Sequence, residues 1–181
     1  MPAATLLVTA SGVFGSFSSY FTPTTSFTAP NEPWSLSFQV SSNPVVSDTS
    51  FGVQFAPVFT NFTYTLNGSP VVLNPAEILF LAAGFNGLFN VCLDSPCVTH
   101  ANGLGFDGSQ LYSGSELSPT ILQGTYTSTQ FFIAVNNTTF AEPNATVTVS
   151  AMPEPRPSWF VGTGLLVLVL AARKARYVRQ A

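Results

Sequence analysis

Trp34-Ser35-Leu36-Ser37-Phe38-Gln39-Val40 alternates strictly between large apolar and smaller polar side chains. Successive side chains of an extended strand point to opposite faces, so Trp34, Leu36, Phe38 and Val40 share one face and Ser35, Ser37 and Gln39 the other. A helix would scatter the same residues around its circumference. The stretch is a half-buried strand, and its surroundings follow suit. Phe59 to Leu66, then Asn67-Gly68, then Ser69 to Leu73 predicts a β-hairpin, because Asn-Gly supplies the two positive φ values that a type I′ turn needs. Further strands are predicted over 6–16, 52–58, 78–82, 88–93, 121–127, 131–136 and 145–151, punctuated by Gly, Pro, Asn and Asp. Segment 75–83 admits either a short helix or a buried strand centred on Ile78 to Leu81. The expected fold is all-β: an antiparallel β-sandwich or jelly-roll-like domain over 1–151, followed by a short C-terminal transmembrane helix.

Charge divides the chain at the same place. All five basic residues, Arg156, Arg173, Lys174, Arg176 and Arg179, follow position 155, and all eight carboxylates precede position 156, for a net charge of −3. The body is poor in the Lys, Arg, Glu and Gln that favour helices and rich in Ser, Thr, Asn, Phe and Val, which suits strands and turns. The stretch before position 156, with eight carboxylates and no cation, repels phosphate, so nucleic acid is not an expected partner.

Between Arg156 and Arg173 lie 16 uncharged residues, with Leu165 to Ala172 apolar all round rather than on one stripe. At about 1.5 Å per residue this is roughly 24 Å of helix, short of the ~30 Å hydrocarbon layer. Trp159 at the outer headgroups and snorkelling Arg173 and Lys174 at the inner ones offset the shortfall. The segment predicts a span with its basic cap, Arg173, Lys174 and Arg176, in the cytoplasm and the body outside. A buried C-terminal helix of a soluble domain is the alternative.

Pro153-Glu154-Pro155, the apolar run over 158–172 with Gly162 and Gly164, and the basic end over 173–181 stand in an order that closely resembles the PEP-CTERM protein-sorting domain. The resemblance covers 152–181 only. It implies export across the inner membrane of a Gram-negative-type bacterium, transient anchoring in that membrane, and processing near Pro153, Glu154 and Pro155 by an exosortase. The body would then reside at the cell-envelope surface or in the extracellular matrix, often in cells that make exopolysaccharide. Arg156 follows the motif where a small or hydroxyl residue is commoner. The three prolines among 152–157 predict an extended spacer that presents the motif. The N-terminal stretch Pro2 to Ser11 lacks the basic n-region of a secretory signal and has only a weak apolar run, so the true signal is expected upstream of Met1, with the mature end near Ala3 or Ala4 and 5–14 forming the first strand.

Few residues suggest chemistry. Cys92 and Cys97 at this spacing, in an oxidising compartment, point to a disulfide. The same pair with His100 and Asp94 is a conceivable metal set, but one His and no second cysteine pair argue for no metal. Asn102 to Ser109, with Asp107, predicts a glycine-rich turn rather than a calcium loop, and Gly103-x-Gly105 is not a nucleotide fingerprint, so no cofactor is expected. Glu77, Asp107, Glu116 and His100 are the residues a hydrolase would draw on. Without a Gly-x-Ser-x-Gly motif, and with no Lys or Arg in the body to stabilise an anion, no catalytic residues are assigned. Tyr20, Phe21, Phe85, Phe106 and Tyr112 lie in loop-like segments where aromatic faces stack on sugars, although most of the 17 Phe must fill the core. The Asn-x-Ser/Thr positions Asn61, Asn67, Asn136, Asn137 and Asn144 are expected at turns and strand edges. Expected functions are therefore a non-enzymatic exported surface or matrix protein, alternatively a carbohydrate-binding module for exopolysaccharide, and less so a secreted hydrolase.

Overall fold

The computed structural model describes residues 3–16, 26–48, 54–83, 87–94, 102–136 and 138–152. Every regular element among them is a strand, and every pairing is antiparallel. One sheet of six strands runs in the order β12 (Gly124–Thr127), β15 (Thr146–Ala151), β1 (Thr5–Val13), β2 (Pro33–Ser41), β5 (Phe59–Leu66), β6 (Ser69–Pro70). A second, of seven, runs β14 (Thr138–Glu142), β13 (Gln130–Val135), β9 (Asn102–Asp107), β8 (Phe89–Cys92), β7 (Glu77–Leu81), β4 (Gln54–Pro57), β3 (Val46–Asp48). A hairpin of β10 (Tyr112–Ser115) and β11 (Ser118–Ile121) adjoins them.

The inner faces of the two sheets share one core. In β2, Trp34, Leu36, Phe38 and Val40 are buried and alternate with half-buried polar residues, as the sequence pattern requires. Trp34 stacks at an angle on Phe131 with centroids 4.7 Å apart and on Phe106 at 5.8 Å, while Phe38 meets Phe89 edge-on at 5.5 Å. Phe106 lies 4.7 Å from Phe89 and 5.0 Å from Phe131. Each such ring contributes about 1.5–3 kcal/mol through burial, and each pair about 0.5–1.5 kcal/mol more. Tyr64 is buried from β5, and its hydroxyl donates to the Phe27 carbonyl at 2.6 Å, which satisfies the one polar atom it brings inside. Burial holds that hydroxyl protonated well above the ordinary tyrosine range.

Predicted and observed strands agree best where alternation is strong. The Asn67-Gly68 turn has φ 50° and 72°, as a type I′ turn requires, but β6 stops at Pro70 and leaves 71–73 outside the strand. The ambiguous 75–83 segment contains strand β7, whose Ile78 and Phe80 face the shared core while Leu79 and Leu81 pack on the opposite face with Ala56 and Cys92. The predicted single strand over 121–127 is two. β11 ends at Ile121 on the hairpin, and after Leu122 and Gln123 the chain enters β12 on the six-stranded sheet. β1 ends at Val13 rather than at 16, although Phe14 N donates to the Glu32 carbonyl and Asn31 N to that of Gly15, which prolongs the pairing irregularly.

The predicted glycine-rich turn over 102–109 is overturned in its larger part: 102–107 form β9, an interior strand between β8 and β13. The glycines serve the outer face of that strand. A Cβ on Gly103 would stand 2.2 Å from the Val91 carbonyl oxygen, a backbone atom, so only hydrogen fits there, whereas one on Gly105 would stand 1.9 Å from the tip of the Phe132 ring, which would have to swing aside. β3, β10 and β14 are further strands that alternation did not mark. Opposite Ser37 and Gln39 of β2 the register slips because β5 carries an extra residue between Thr60 and Thr63, and Asn61 takes a φ of 53° in this bulge, its amide donating to Gln39 Oε1 at 2.8 Å.

Candidate functional site

The sorting motif Pro153, Glu154 and Pro155, the apolar run over 158–172 and the cap Arg173, Lys174 and Arg176 lie outside the described residues, as do Cys97, His100, Tyr20, Phe21, Phe85 and Asn137. The last described residue is Met152, whose N–H donates to the Thr5 carbonyl at 3.0 Å. The body is thus hydrogen-bonded up to the residue before Pro153.

Cys92 ends β8 and is buried against Ala56, Leu79 and Leu81. Asp94 accepts from the Asn102 amide, whose oxygen in turn accepts from Asn136 N at 3.1 Å, so Asp94 is used to fix the ends of neighbouring strands. Among the described residues no group of three His, Cys, Asp or Glu side chains is placed to hold a metal ion. Glu77 and Asp107 do not converge. Glu77 pairs with Cys92, which pairs with Gly103, whereas Asp107 stands four residues further along β9, about 13 Å away along the strand direction. Glycosidic carboxyl pairs lie roughly 5–9.5 Å apart. Glu116 sits in the β10–β11 turn and accepts from the Tyr112 hydroxyl at 3.4 Å. Burial, then the Glu116 charge and that bond, push the Tyr112 hydroxyl up to about 12.

Two of the aromatic residues considered for sugar stacking are interior. Phe106 is in the central ring cluster, and Tyr112 is buried with its ring edge-on to Phe55 at 4.8 Å. Both were misplaced because glycine-rich flanks look loop-like, whereas here glycine lets strands and hairpins approach closely. Asn61, Asn67 and Asn136 all carry positive φ, at bends where asparagine tolerates a left-handed backbone.

What the structure does assemble is the outward face of the six-stranded sheet. Five adjacent strands each carry a Ser/Thr-x-Ser/Thr triplet: Thr125 and Thr127, Thr146 and Thr148, Thr9 and Ser11, Ser35 and Ser37, Thr63 and Thr65. Register aligns them into two rows. Thr125, Thr148, Thr9, Ser37 and Thr63 are successive cross-strand partners, and so are Thr127, Thr146, Ser11, Ser35 and Thr65. Ser35 bonds Thr65 and Ser37 bonds Thr63, each at 2.8 Å, and Thr125 meets Thr148 at 3.5 Å. No charged side chain interrupts either row. Each triplet is visible in the sequence, but their alignment depends on pairings between residues as much as 139 positions apart.

A cleft of about 670 Å³ opens at the edge of this face, where β1 ends and β2 and β15 begin. Ser11 and Thr146, neighbours in the second row, line it together with Asn31 and Asn144, and Val13, Pro33 and Pro143 supply apolar wall. Trp34 also lines it, and its buried Nε1–H has no hydrogen-bond partner. That edge of the indole lies under Gly12, where a Cβ would come within 3.2 Å of Nε1. Beside the cleft, Gly15 N donates to Glu142 Oε2 at 2.7 Å.

Burial raises the Glu142 carboxyl above the usual range, and the Gly15 bond only partly opposes it. The folded chain therefore holds its proton to higher pH than the unfolded chain. The contribution to stability is complete below the ordinary carboxylate range and is lost as pH rises through the folded value. Glu142→Gln keeps an oxygen for Gly15 and removes the charge. It is expected to raise the thermal midpoint at pH 7 by about 1–2 °C and to leave it unchanged near pH 3, the solvent exposure of the group keeping the effect small. Calorimetric scans at the two pH values check this; a lower midpoint at pH 7 would contradict it.

Comparison with protein-family models, with curated proteins and with solved structures finds no match to this chain.

Proposed function

We propose that the chain is an exported, non-enzymatic surface or matrix protein whose β-domain is delivered by a PEP-CTERM-like tail. In this reading the apolar run over 158–172 enters the inner membrane as a short transmembrane helix, Arg173, Lys174 and Arg176 stay on the cytoplasmic side, and an exosortase acts near Pro153, Glu154 and Pro155. The body over 1–151 would leave for the envelope surface or the extracellular matrix, where Cys92 and Cys97 form a disulfide.

The observation that carries the proposal is the abrupt change of character at one point. A strand-rich body without any cation is hydrogen-bonded up to Met152, and the proline-rich motif, the uncharged run and all the cations follow at once. A processing enzyme needs an extended substrate clear of folded structure, and three prolines among 152–157 disfavour helix and sheet ladders alike. The order of parts supports sorting over an ordinary linker.

Intact-mass analysis of envelope material provides the test. The expected species has lost the segment after the Pro-Glu-Pro motif, and replacement of Pro153, Glu154 and Pro155 by alanine is expected to leave the full-length chain in the inner membrane. Full-length wild-type protein dissolved in the cytosol would refute the proposal. The same spectrum after alkylation without reduction reports whether Cys92 and Cys97 are joined: two added alkyl groups would refute the disulfide.

A further inference from the structure

We infer that the two hydroxyl rows on the six-stranded sheet, with the cleft at their edge, form a binding surface for an uncharged polysaccharide. The inference concerns the body alone, so a failure of tail processing leaves it intact, and its own failure says nothing about sorting.

The chemistry of the face selects the ligand class. A Ser or Thr hydroxyl offers one donor and two acceptor positions, so a bonded pair such as Ser37 and Thr63 keeps one donor and several acceptors for a partner. A ligand that matches must likewise both donate and accept, as a sugar hydroxyl does. Anionic polymers are disfavoured: the rows contain no cation, and the eight carboxylates before position 156 repel them.

Spacing selects a polymer rather than a single sugar. Neighbouring strands lie about 4.8 Å apart and alternate residues about 6.7 Å apart along a strand, so the rows repeat the same contact across five strands. Each net hydrogen bond contributes only about 0.5–1.5 kcal/mol, and useful affinity arises when one chain engages many positions at once. Sheet twist of roughly 20° per strand rules out a flat crystalline plane over the full width and suits one flexible chain lying along a row. The second row leads through Ser11 and Thr146 into the cleft, where the Asn31 and Asn144 amides continue the same chemistry. Trp34, buried beneath Gly12, gives the cleft an aromatic wall beside these polar groups.

The test uses the full-length protein in detergent, co-sedimented with an amorphous, insoluble neutral β-glucan and with a carboxylated form of the same polymer. The neutral polymer is expected to retain the protein and the carboxylated one to retain little, and free glucose is expected not to compete. A triple variant, Thr9→Val, Ser37→Ala and Thr148→Val, is expected to weaken retention about tenfold, as the loss of three modest bonding positions implies. A second variant, Ser11→Ala with Asn144→Ala, changes only exposed residues at the cleft and is expected to weaken retention severalfold with an unchanged thermal midpoint. Retention of both variants equal to that of the wild type, equal binding of the carboxylated polymer, or no retention on either polymer would overturn the proposal.

Discussion

Phe106→Ala is expected to lower the stability of the body by about 3–5 kcal/mol, the range for truncating a fully buried aromatic side chain. Phe106 is 0 % exposed and touches rings from both sheets: Trp34 of β2, and Phe89 and Phe131 of its own sheet. Alanine would remove those contacts and leave a void that the two sheets could close only by approaching each other. The flanking strands β8 and β13 are held by continuous ladders, so little relaxation is available. A natural domain is stable by about 5–15 kcal/mol, so the variant stands near the edge of folding. Urea unfolding followed by tryptophan fluorescence reads the change directly; a midpoint within experimental error of the wild type would show that the ring cluster does not hold the sheets together.

Gly103→Ala is expected to be comparably damaging for a different reason. The added Cβ would stand 2.2 Å from the Val91 carbonyl oxygen, a backbone atom in the neighbouring strand, so β8 and β9 must part to admit it. Separation breaks ladder bonds at the centre of the seven-stranded sheet, and the loss is expected to reach about 3 kcal/mol or more. Gly105→Ala is the control. Its Cβ would meet the far end of the Phe132 side chain, which can swing aside, so its effect is expected to be smaller in the same urea titration. Should both alanine variants unfold alike, strand separation is not the cause.

The contrast between these two residues and Trp34 shows what the sequence revealed. The strand over 34–40 was legible because every second residue is large and apolar, a pattern that survives any packing partner. β9 follows the same rule, with Leu104 and Phe106 inward, but Gly103 and Gly105 occupy the alternate positions and mimic a turn. Glycine there answers to Val91 and Phe132, residues on other strands, and a local pattern carries no information about them. The split at Leu122 was hidden likewise: 121–127 reads as one extended run, and only the choice of partners divides it, Ile121 pairing with β10 and 124–127 with β15. Among site residues, each hydroxyl triplet was in plain view. Their union into rows required knowing that residue 9 faces both residue 148 and residue 37.

β1 pairs on one side with β2 and on the other with β15. The first neighbour is made within a few dozen residues, the second only when position 151 has been synthesised, and such distant pairings slow folding because a long loop must close first. The middle of the six-stranded sheet consequently stays open at one seam for nearly the whole of the body's biogenesis, and the hydroxyl rows do not exist as rows until that seam zips. A chain that emerges N-terminus first therefore lacks its finished hydroxyl surface until 146–151 have joined β1.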